Sequence, residues 1–261
     1  MYMPHFKMTS QPFAERIAVD HVLMDERMAE GLARLECLLQ NGSIALVTGQ
    51  TGAGKSTLIR CFLNRMKPNQ VCPIYIHFTP VKDTSFLSQI VTALGEVPKR
   101  GKEKLFSIIL NKAEKIQATT LILVDEAHLL APESLTDLRL LVSSAMDDAP
   151  PLKIVLIGQK QLKAVIRQES HADLAGRVSM KISLYPLTRE QTIAYINHQM
   201  KTAGASDKVF EQDIKAMIHD IAGGIPREIN NIATACLMAA AISKVQKIDT
   251  DILNRVIEES K

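Results

Sequence analysis

Along the first two thirds of the chain, short runs of apolar and β-branched residues alternate with longer stretches whose apolar positions recur every three or four residues. The runs "SIALVTG", "CPIYIHF", "TTLILVD", "LKIVLIG" and "SMKISLY" are continuous, the mark of strands buried on both faces of a parallel sheet. Between them, "KSTLIRCFLNRM", "TSFLSQIVTALG", "KEKLFSIILNKAEKI" and "PESLTDLRLLVSSAM" carry the spacing of amphipathic helices. This alternation predicts a doubly wound α/β domain over residues 1–185, with a five-stranded parallel core. After Pro186 the strand pattern stops, and four helical segments follow. A capping box from Thr188 to Gln191 opens the first, and Pro226 opens the third. Residues 186–261 therefore read as a small all-helical domain.

Composition narrows the class more than the function. With 46% hydrophobic residues in 261, the chain can bury a large core. A net charge of +3 permits a nucleic-acid partner without arguing for one. No apolar run is long enough to cross a bilayer, and "MYMPHFKMTSQPF" lacks the apolar segment of a signal peptide, so a cytoplasmic protein without a membrane partner is expected. Cys37, Cys61, Cys72 and Cys236 sit among apolar neighbours without paired spacing and read as small core residues, not as disulfides or zinc ligands.

The chemistry begins at "VTGQTGAGKST". Gly49, Gly54, Lys55 and Ser56 fit G-x-x-x-x-G-K-[ST], and the loop Gly49, Gln50, Thr51, Gly52, Ala53, Gly54, Lys55, Ser56 and Thr57 follows a strand and opens a helix. In such a loop backbone N–H groups wrap phosphates, the lysine reaches the β and γ oxygens, and the serine hydroxyl binds magnesium. The helix N-terminus favours the same anion. ATP with Mg2+ is the expected ligand.

A second element is "LILVDEAH". The apolar run ends in Asp125, which would stand at the carboxyl end of a central strand and hold the magnesium opposite Ser56. Glu126 follows, placed to orient or deprotonate the attacking water, which predicts hydrolysis as well as binding. The bland alternative is that both carboxylates cap the next helix. "DEAH" occurs in helicases with two RecA-like domains, but this chain has room for one, so His128 reads as a buried or capping histidine. Gln159 ends the "LKIVLIGQ" strand, either as a sensor of the γ-phosphate or as an amide satisfied by solvent. Arg177 closes a helix before the last strand, and Arg227 follows the Gly-Gly-x-Pro turn with Pro226 beside it.

The order of P-loop, "DEAHLL", "LRLLVSS", "IVLIGQ", "LAGRVSMKISLYPLT" and "GGIPREIN" resembles AAA+ ATPases of the ExeA-like group over nearly the whole chain. The resemblance implies a P-loop AAA+ fold with a helical lid, in which ATP lies between neighbouring subunits of a ring or filament. It gives Arg177 the place of an arginine finger reaching the neighbour's γ-phosphate, and Arg227 that of the lid arginine sensing it from within. A surface arginine is the alternative for Arg177. On function the resemblance splits. Secretion ATPases of the ExeA type continue into a membrane-spanning segment and a periplasmic peptidoglycan-binding domain, which these 261 residues do not contain. The stand-alone members include regulators of DNA transposition of the TnsC, TniB, IstB and MuB kind, which polymerise on duplex DNA with ATP and recruit a transposase. That role is the expectation, with slow, regulatory hydrolysis implied by it; secretion or envelope-assembly ATPase and helicase-loader-like remodeller are the alternatives.

Charge adds modest support. Lys82 in "TPVKDTS" and Lys99, Arg100, Lys102 and Lys104 in "GEVPKRGKEK" fall in two connections on one side of the predicted sheet, where they would meet duplex phosphates without reading sequence. A solvated face is the equal alternative. Aromatics at 4% are too few for a stacking platform on single strands.

Overall fold

The computed structural model describes residues 2–67, 69–78, 85–143 and 152–259. The chain divides into two compact units, one of residues 28–49 and 55–184, the other of residues 1–27, 50–54 and 185–261.

The first unit is built on five parallel strands, β1 (Ile44–Gly49), β2 (Val71–His77), β3 (Thr119–Asp125), β4 (Leu152–Gly158) and β5 (Val178–Leu184), in the order β2-β3-β4-β1-β5. Parallel neighbours need crossovers. Preceding the sheet is α1 (Tyr2–His5), which belongs to the other unit, then α2 (Glu26–Asn41). The crossovers carry α3 (Lys55–Arg65), α4 (Phe86–Ala93), α5 (Lys102–Lys115), α6 (Pro132–Ser143), α7 (Gln161–Ile166) and α8 (Ala172–Arg177). Register sorts the side chains by face. Ile76 pairs with Val124, Val124 with Leu156 and Leu46 with Leu156, and all of these join one buried cluster with α4 to α8. The alternate positions Val47, Leu123 and Ile157 are buried on the opposite face. There α2 comes close to α3 and β5: a Cβ on Gly31 would stand 2.9 Å from Leu58 and 3.4 Å from Ile182.

Continuous apolar runs predict strands buried on both faces, and β1, β3 and β4 are so buried. The edge strands β2 and β5 are not; each alternates between buried and open positions, because an edge has less cover than the centre of a sheet. On β2 this leaves Pro73, Tyr75 and His77 open to solvent.

The second unit contains α9 (Arg189–Thr202), α10 (Gln212–Ala222), α11 (Pro226–Ile242) and α12 (Thr250–Glu259). The capping box at Thr188 and Gln191 forms in both directions, and Pro226 takes the first turn of α11, as the sequence predicts. Less expected is the N-terminal segment, whose Tyr2, Phe6, Met8 and Phe13 enter the core of these helices beside Leu187, Ile196 and Phe210. Cys61 and Cys236 are buried free thiols, each in its own unit, and burial pushes the Cys236 thiol up to about 12.

One glycine in the helical unit is irreplaceable on steric grounds. Gly224 has φ +70°, its carbonyl accepts the Leu187 amide at 2.8 Å, and a Cβ built on it would lie 2.2 Å from the Leu187 carbonyl oxygen. Gly224→Ala is expected to destabilise the helical unit by about 2–4 kcal/mol, combining left-handed strain with a backbone clash. Urea unfolding monitored by circular dichroism checks this, and an unmoved midpoint would refute it.

Candidate functional site

Parallel strands bring their carboxyl ends to one edge of the sheet, so Gly49, Asp125 and Gly158, the last residues of β1, β3 and β4, share that edge. The loop after Gly49 is the P-loop of the sequence. Lys55 and Ser56 open α3, with Ser56 exposed and Lys55 buried. The Lys55 ammonium donates to the Gly49 carbonyl at 3.0 Å. Gly54 has φ +101° with no protein atom within 4 Å of a built Cβ, so conformation and not crowding demands glycine there.

Gly52 is different, and the motif alone does not single it out. It has φ +80°, and a built Cβ would lie 2.7 Å from Cβ of Arg227 and 3.1 Å from Ile225. The Arg227 amide donates to the Gly52 carbonyl at 3.3 Å. The turn "GGIPRE" and the tip of the P-loop are thus packed backbone to backbone within the helical unit. The Arg227 side chain is exposed, with Pro226 half-buried before it.

Asp125 is buried at the end of β3. One of its oxygens accepts the Glu126 amide at 2.9 Å. The other accepts the Tyr75 hydroxyl and stands 3.9 Å from His77 Nδ1. Tyr75 and His77 come from β2, where Tyr75 pairs with Leu123 and His77 with Asp125, so all three polar side chains leave the same face. Although the Tyr75 ring is half open to solvent, desolvation of its hydroxyl against Asp125, then the hydrogen bond to Asp125, then the charges of Asp125 and Glu126 hold the phenol well above its usual range, so it acts as a donor. Nothing in the sequence flagged Tyr75, because its partner lies 50 positions away.

Glu126 adopts left-handed backbone, φ 55° and ψ 32°, and precedes a 3-10 turn over Ala127–Leu129. Its side chain makes no cap bond to that turn, which sets aside the capping alternative for this residue. Non-glycine residues rarely occupy this region, and strain of this kind gathers at functional sites. Gln159, half-buried, stands one residue past β4.

The residues present fit a magnesium nucleotide: an open glycine conformation at a helix start, an exposed hydroxyl, a buried lysine and a buried carboxylate. Bound there, the metal would neutralise charge on the phosphates.

Arg177 is the last residue of α8, exposed, and its side chain has no hydrogen bond or ion pair among the described residues. Lys99 and Arg100 are exposed in the connection between α4 and α5. Lys102 begins α5 and binds Asp137 of α6 at 2.9 Å, and Lys104 is exposed on the same first turn. Lys82 lies outside the described residues.

Comparison with known proteins agrees with this geometry. Residues 38–166 match the AAA domain family. That match takes in just under half of the chain. The chain is 32% identical over 255 residues to General secretion pathway protein A of Aeromonas hydrophila, an overlap of 95% of the chain and 46% of that relative. The chain therefore spans under half the relative's length. Among solved structures, Cdc6p from Pyrobaculum aerophilum superposes with a TM-score of 0.75 at 19% identity, over 95% of this chain and 70% of that one. The Aeropyrum pernix ORC1 protein in complex with DNA gives 0.73 at 18%, over 97% and 69%. The Thermotoga maritima RuvB Holliday junction branch migration motor gives 0.62 at 17%, over 95% and 73%. These likenesses are of fold: a P-loop AAA sheet with a helical C-terminal part. No helix among the described residues is long and apolar enough to cross a membrane.

Proposed function

We propose that this AAA ATPase is an assembly factor of the ExeA-like secretion or envelope kind, whose subunits associate with ATP and separate on hydrolysis. The observation that carries the proposal is the 32% identity over 255 residues to General secretion pathway protein A. The identity, not the length, bears the weight. Lys55 holds the β and γ phosphates, Ser56 and Asp125 hold the magnesium, and Glu126 orients or deprotonates the attacking water. Gln159 at the end of β4 contacts the γ-phosphate or that water. Arg177, exposed and without an ion pair among the described residues, reaches the γ-phosphate bound by a neighbouring subunit, while Arg227 senses nucleotide from its own chain.

A second proposal is the DNA transposition regulator, assembling on duplex DNA with ATP and recruiting a transposase. It is favoured by Lys99 and Arg100, adjacent, exposed and without ion pairs among the described residues, with Lys104 nearby in sequence. The structural likeness to a DNA-bound ORC1 and to the RuvB motor supports it. Lys102 is weaker support, because Asp137 already neutralises it.

Sedimentation with a non-hydrolysable ATP analogue separates the two. The first proposal expects oligomers that form without DNA, retain no duplex at roughly 0.15 M salt, and are unchanged by reversing Lys99 and Arg100 to Glu. Retention of all duplex sequences alike, falling steeply with salt and lost on reversal, would overturn it in favour of the second.

A further inference from the structure

We propose that His128 is the positioning residue of Glu126, holding one oxygen of its carboxylate so that the other faces the reaction. This rests on Glu126 as the base that activates water. Glu126 Oε2 and His128 Nδ1 lie 3.2 Å apart, within ion-pair distance, and both atoms are closed to solvent. Neither has another hydrogen-bond partner among the described residues, and their alignment falls short of a full hydrogen bond to each other. Leaving two buried polar atoms without partners is costly, so a small rotation that joins them is favoured. The carboxylate oxygen can only accept, so the proton of the pair sits on Nδ1 and the imidazole donates.

Backbone geometry makes this arrangement hard to avoid. The left-handed turn at Glu126 folds the chain back, so that its side chain meets the residue two positions on. The His128 backbone is itself seated on the end of β4. A Cβ on Gly158 would stand 3.2 Å from the His128 amide nitrogen and 3.5 Å from its Cβ. Glycine at 158 thus lets the turn over Ala127–Leu129 approach the strand, and the imbedded imidazole, with 13% of its side chain exposed, has little freedom to leave. A carboxylate tethered at one oxygen loses the rotations in which the other oxygen misses the water, which is an orientation effect on turnover and not on binding.

Steady-state ATP hydrolysis and nucleotide affinity of His128→Ala, His128→Asn and Glu126→Gln, alone and combined, test this. The Asn amide can donate from near the position of Nδ1. His128→Ala should lower kcat roughly tenfold to hundredfold with nucleotide affinity kept, a misplacement effect. His128→Asn should recover most of the loss, and His128→Ala should cost nothing further in the Glu126→Gln background. Parental turnover in His128→Ala, or an Asn variant that binds nucleotide normally yet stays as slow as Ala, overturns the proposal. An additive loss in the double variant does the same. If His128→Ala also loses affinity, His128→Asn decides: both properties restored supports the pairing, affinity alone restored overturns it. Glu126→Gln by itself tests the base, so a parental rate there marks failure of the underlying assignment and not of the pairing alone.

Discussion

Glu126→Gln is expected to bind ATP with parental affinity and to hydrolyse it some 10²–10⁴-fold more slowly, the usual worth of a positioned general base. The amide keeps the size of the side chain but cannot take the proton of the attacking water. Lys55→Ala should fail one step earlier. Its ammonium is buried at the start of α3 and supplies the compact positive charge for the β and γ phosphates, so the variant should lose nucleotide binding itself. Nucleotide titration beside single-turnover hydrolysis distinguishes the two. A Glu126→Gln protein that turns over at the parental rate would remove Glu126 from the chemistry, and a Lys55→Ala protein that binds normally would remove the P-loop assignment.

The second large effect concerns Arg177. Arginine fingers are worth roughly 10³–10⁵ in kcat, and Arg177→Ala should fall by an amount of that order while still binding ATP. Because Arg177 is exposed at the end of α8 with no side-chain partner among the described residues, the defect should be repairable in trans. Mixing Arg177→Ala with Glu126→Gln subunits creates interfaces where an intact Glu126 meets a neighbour's intact Arg177, and activity should rise above either variant alone. A finger acting within its own subunit gives no such rescue, since every chain in the mixture lacks one group. Co-assembled subunits that fail to complement would rule out a shared site.

Periodicity and spacing determined much of this protein. The five strands and the helices that cross between them were legible because a buried parallel strand must be apolar at every position, and an amphipathic helix must repeat at its own pitch. The capping box at Thr188 and Pro226 at the start of α11 were legible for the same reason: local backbone geometry is set by neighbours in sequence. So was the placement of the P-loop between β1 and α3, and of Asp125 at the end of β3, which consecutive residues fix. Strand order was not in the sequence, and it put β2 at the edge beside β3, which brings the Tyr75 hydroxyl and His77 to Asp125. Nor was the membership of the N-terminal segment in the helical core, since Tyr2, Phe6 and Phe13 show no regular period and find their partners almost two hundred residues later. Gly52 is an unspecified position of its motif, and its φ of +80° together with Arg227, whose Cβ would lie 2.7 Å from a built Cβ, explains why a side chain is barred there. His128 is the clearest case: its letter follows Glu126 by two, but the left-handed turn and the glycine at 158 decide that the imidazole faces the carboxylate. Local spacing names the groups that do chemistry, whereas long-range packing settles which of their atoms are held and which are left free to react.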